Sequence, residues 1–71
     1  MILIFQNAFE GNATDSIAIN SKQVVSVYEQ DVPTPEDDKT FMRVTTLYTL
    51  GNTSFSVKDD FLDVIARLNN V

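Results

Sequence analysis

The chain of 71 residues has no cysteine and no histidine, only two glycines and two prolines, and half as many basic residues as acidic ones. Each shortage excludes something. Without Cys there is no disulfide, and without Cys or His the common zinc sites lose their ligands. Acid–base catalysis most often uses His, and nucleophilic catalysis often uses Cys or a Ser–His pair. An enzyme built from this composition would have to rely on Asp/Glu, Lys, Ser/Thr or Tyr. Gly11 and Gly51 alone cannot form a glycine-rich phosphate loop. The composition therefore points to a protein that is not an enzyme, with no catalytic residue, no cofactor and no metal ligand.

Basic clusters are also missing. Lys22, Lys39, Arg43, Lys58 and Arg67 stand singly in a chain of net charge −5 and pI near 4.2. Nucleic-acid binders usually carry a basic stripe, so direct nucleic-acid binding is not expected. The acids gather in one loop and one helix start, which is a poor imitation of regularly spaced DNA phosphates. The apolar opening "MILIF" is too short to cross a bilayer and lacks the basic flank of a signal peptide. No membrane insertion and a cytoplasmic location are the expectations.

What is present reads as one small α+β domain, residues 1–71. Residues 2–9 form an apolar first strand, with Ile2, Leu3, Ile4 and Phe5 placing apolar groups on both faces. "EGNATD", residues 10–15, is a turn-forming cluster. "SIAIN" (16–20) alternates with Ile17 and Ile19 on one side, and "VVSVYEQ" (24–30) is rich in β-branched residues. Residues 31–39, "DVPTPEDDK", make an acidic loop in which Pro33 and Pro35 forbid a central strand. Its Asp31, Glu36, Asp37 and Asp38 bring a calcium site to mind, but the spacing matches no EF-hand and a solvated loop is expected.

Residues 40–50 and 53–57 read as strands of a hairpin around a two-residue Gly51-Asn52 turn. Counting back from that turn sets Tyr48 opposite Phe55 and Thr46 opposite Val57. One face then carries Val44, Thr46, Tyr48, Leu50, Phe55 and Val57 as core. Leu47 is the lone apolar residue on the other. A helix over about 60–69 follows, with Asp60 as N-cap, Asp63 near the positive end of its dipole and Phe61, Val64, Ile65 and Leu68 on one stripe. Adjacent Asp59-Asp60 are carboxyls of the kind a glycosidase pairs, but capping and the helix dipole account for them. The expected architecture is a small antiparallel sheet of about five strands with one C-terminal helix packed on it.

"SIAINSKQVVSVYEQ", a threonine-rich strand, a glycine turn and "FSVKDDFLDVIARL" together resemble the FlbD-type small proteins linked to flagella and swarming motility, and similar short phage and prophage proteins. The likeness runs over residues 16–68 and rests on Ile17-Ala18-Ile19-Asn20, Val24 to Tyr28, Gly51, Val57 to Asp60 and Asp63-Val64-Ile65. The chain departs from the pattern in its long 31–39 loop, its Gly-Asn turn and its apolar residues 2–9. The resemblance implies no catalytic residues.

A small domain without disulfide or metal commonly recruits a partner subunit. The leading expectation is thus a non-enzymatic protein–protein interaction or accessory module, of bacterial or phage type, acting as a homo-oligomer with an unidentified protein partner. Its candidate surface is Leu3 and Phe5, on whichever face the core does not claim, with Phe9 and Leu47. The competing arrangement covers both faces of the first strand within one subunit. The alternative function is an acidic, phage-like inhibitor that occupies a basic site on a host enzyme.

Overall fold

The computed structural model describes residues 1–9, 15–34 and 36–71; most of the 10–15 turn and Pro35 lie outside them. Five strands and one helix follow in order: β1 (Ile2–Gln6), β2 (Ser16–Asn20), a 3-10 turn (Ser21–Gln23), β3 (Val24–Pro33), β4 (Phe41–Thr49), β5 (Thr53–Val57) and α1 (Phe61–Asn69). The class is α+β, with two antiparallel sheets rather than one: β1–β2 and β3–β4–β5. Asn7, just past β1, bridges to Val57 and ties the sheets together, flanked by Ala8 N–H to Ser56 C=O (3.0 Å) and Lys58 N–H to Gln6 C=O (2.7 Å).

The core occupies the inner side of both sheets. Leu3, Phe5, Ile19, Leu47, Val57 and Val64 are buried together, with Ile17, Val24, Val27, Phe55 and Leu68 packed around them. Alternation in each strand delivers one of these sets, since residues two apart share a face. In β1–β2, Leu3 faces Ile19 and Phe5 faces Ile17. In the larger sheet, Leu47 lies between Val27 and Phe55.

The register of β4 differs from the one expected. Thr49 pairs with Thr53, so the turn holds three residues, Leu50-Gly51-Asn52. Gly51 and Asn52 both take positive φ, 85° and 65°. One extra turn residue turns β4 over. Leu47, expected outside, is fully buried, and Tyr48, expected in the core, is 40% exposed. Leu50 also leaves the core for the turn, whereas Val44 and Thr46 are buried but on the sheet side opposite Leu47. Thr46 is satisfied there: its Oγ1 accepts from Gln30 Nε2 at 3.1 Å and pairs with Ser56 Oγ at 3.0 Å. This register buries a whole leucine and leaves the threonine hydroxyls bonded.

The helix begins as its sequence suggests. Asp60 is the N-cap and its carboxylate accepts Leu62 N–H at 3.1 Å. Asp59 anchors the helix start to both sheets. Its Oδ1 accepts Gln6 N–H at 2.7 Å, and its C=O accepts Thr45 Oγ1 at 2.8 Å. From the last turn Arg67 reaches back to Asp59 Oδ2 at 3.7 Å and lays its guanidinium over the Phe5 ring, 4.4 Å from the centroid.

Candidate interaction surface

Three of the four residues expected on an exposed surface belong to the core. Leu3, Phe5 and Leu47 are 9%, 1% and 0% exposed. The core claims the odd-numbered face of β1 because that face meets Ile17 and Ile19 of β2 and the helix. Phe9 is exposed and lines an open cleft of about 440 Å³ with Ile17, Phe55, Asn7 and Ser54 among others.

The face left open is therefore the other one. Ile2 and Ile4 are 58% and 50% exposed, and Met1 beside them 63%. Ile4 stands opposite Ala18, itself exposed, and Ile2 opposite Asn20. These residues were missed because β1 is apolar on both faces, and parity alone does not say which face the core takes. The partner strand holds the signal: Ile17 and Ile19 share one side of β2, and Ala18 lies alone on the other.

The acidic segment has a different character. β3 runs on through Asp31 to Pro33, which pairs with Phe41 at the edge of the sheet. Asp31 is not in a loop but in this strand, bonded to Arg43 Nε at 2.7 Å, and Glu29 meets the same guanidinium at 3.2 Å. The hydrogen bonds to Asp31, then its charge and that of Glu29, raise the Arg43 pKa further above its ordinary value. Asp37 organises the turn: its Oδ1 accepts Lys39 N–H at 2.9 Å, and its C=O accepts Thr34 Oγ1 and Thr40 N–H. Glu36 and Asp38 are exposed. Among the described residues, no group of three or more acidic side chains is placed to hold a metal ion.

On the outer side of β3–β4, Tyr28 and Tyr48 stack with ring centroids 5.6 Å apart. The Tyr28 pKa is raised, chiefly through its hydroxyl contact with Tyr48 at 3.5 Å and next through partial desolvation. Asp59 and Asp60 have the structural partners already given. No helix is long and apolar enough to cross a membrane among the described residues. Compared with known proteins, the chain matches no protein family, no curated protein and no solved structure.

Proposed function

We propose that this protein is a non-catalytic interaction module that works by self-association, with the β1–β2 sheet as its contact region. The observation that carries the reading is the open outer side of that sheet, where Ile2 and Ile4 remain 58% and 50% exposed while the inner side is closed by the core. Contiguous exposed apolar groups on a small acidic protein favour association. The absence of Cys and His from the chain also supports a binding role over a catalytic one. Similarity to the FlbD-type proteins supports an accessory role in a bacterial or phage setting.

Light scattering over a concentration series tests this. The expected result is a mass that climbs above 8.0 kDa through the micromolar range. Ile4→Asp should shift that rise to concentrations about threefold higher, by setting a charge beside the contact strand. A mass that stays at 8.0 kDa into the high micromolar range contradicts the reading.

A further inference from the structure

We propose that two copies of this chain join through the free edge of β2, antiparallel and centred on Ala18, so that two two-stranded sheets become one of four strands. The inference rests on the self-association reading and names its geometry.

The hydrogen-bond alternation of β1–β2 supplies the first argument. Ser21 N–H donates to Met1 C=O at 2.8 Å and Asn7 N–H to Asp15 C=O at 2.9 Å. With the register Leu3↔Ile19 and Phe5↔Ile17 between them, the odd-numbered residues of β2 bond to β1. The even-numbered residues then point their backbone groups away. These are the N–H and C=O of Ser16 and Ala18, and the N–H of Asn20, whose C=O opens the 3-10 turn. No other described strand pairs with this edge.

The second argument is self-complementarity. Centring the pairing on Ala18 sets each Ala18 opposite the partner's Ala18, Ser16 opposite the partner's Asn20, and Ile17 opposite the partner's Ile19. Small meets small, polar meets polar, and the inner apolar residues continue the core side across the junction. Ala18 N–H reaches the partner's Ala18 C=O reciprocally, and Asn20 N–H reaches the partner's Ser16 C=O. On the outer side Ile4, Ala18 and their two counterparts fall in one row.

The third argument is charge. Both copies carry a net −5, so an edge that admits a second copy must itself be uncharged. Ser16 to Asn20 contains no charged residue, no proline and no irregularity of pairing. The other long free edge, β3, has all three obstacles: Glu29 and Asp31, Pro33, and a register shift between Val24 and Ser26. Charges, proline and bulges are the devices that keep sheet edges from pairing. The chain blunts the β3 edge and leaves the β2 edge unguarded.

Light scattering and far-UV circular dichroism of the native chain and four variants test the proposal. Ala18→Pro removes an N–H that faces away from β1, so the strand keeps its internal pairing, yet dimerisation should weaken by about tenfold or more. Ser16→Asp/Asn20→Asp sets like charges opposite each other and should weaken it by about tenfold. Ser16→Lys/Asn20→Asp makes the same positions attract and should dimerise at least as well as the native chain. Should Ala18→Pro fail to fold, the two charge variants decide alone. A folded Ala18→Pro that dimerises like the native chain, or charge variants that behave alike, overturns edge pairing. Dimerisation abolished by Ile4→Asp but indifferent to Ala18→Pro also overturns it, in favour of face-to-face packing with self-association intact. A native chain that is monomeric throughout removes both readings.

Discussion

The two sheets of this protein are finished to different degrees. In β3–β4–β5 the outer edge and most of both faces are provided for, with Val25 and Phe41 left 63% and 65% exposed. Leu47, Phe55 and Val57 fill the inner face, the Thr46, Ser56 and Gln30 hydrogen bonds and the tyrosine stack occupy the outer one, and acids, proline and a bulge guard the edge. The β1–β2 sheet has only its inner face closed. A two-stranded sheet is marginal by itself in water. Under the proposed pairing, the contrast shows where a short chain without cysteine would gain stability: at the sheet that a second copy would complete.

The sharpest way to break the comparison is through β4. Leu47→Ala should lower the unfolding free energy by about 2–5 kcal/mol in urea titration, because a fully buried side chain leaves a cavity. A domain of this size is expected to have on the order of 4–10 kcal/mol in total. Tyr48→Ala, on the outer side, should cost only about 1 kcal/mol. The reverse ranking would mean that the faces of the larger sheet are assigned the wrong way round.

The next largest effect lies at the junction of the sheets. Asp59→Ala leaves the Gln6 N–H without its acceptor and should cost about 1–3 kcal/mol. Asp59→Asn keeps an oxygen there and should lose clearly less. Equal losses in the two variants would show that the ion pair with Arg67, rather than the hydrogen bond to β1, is what matters.

Much of this arrangement was legible in the chain, and what was misread has a physical reason. β2, β5 and α1 follow from clean alternation or a capped apolar stripe, in which every residue agrees with one face. β4 does not. Val44, Leu47 and Tyr48 put apolar groups at both parities, so the turn length decides the face, and the turn is Leu50-Gly51-Asn52, one residue longer than the Gly51-Asn52 that the sequence suggests. β1 is ambiguous in the same way, and the exposed pair proves to be Ile2 and Ile4 instead of Leu3 and Phe5. Proline was also over-read: Pro33 excludes a central strand but not the end of an edge strand, where β3 places it.

The smallest expected effect concerns the tyrosine stack. The Tyr28 pKa is raised by its contact with Tyr48, so the folded state holds the phenolic proton more tightly than the unfolded state. The resulting stabilisation is fully present below the unfolded tyrosine pKa and is lost as pH rises through the higher folded value. Absorbance titration should therefore show a tyrosine ionising late in the native chain, and Tyr48→Phe should bring that step back towards the ordinary phenol value. Near neutral pH that contribution is constant, so stability there should not vary with pH on its account.

Amide hydrogen exchange at two protein concentrations tests the central claim most directly. The backbone N–H groups of Ser16, Ala18 and Asn20 point away from β1, and no strand among the described residues pairs with them. The account predicts that these amides exchange rapidly in dilute solution and become protected as the protein associates, while those of Val27 and Glu29 on the blunted β3 edge stay rapid throughout. Protection that appears on the β3 edge, or fails to appear on β2 in a solution shown to contain dimer, contradicts it.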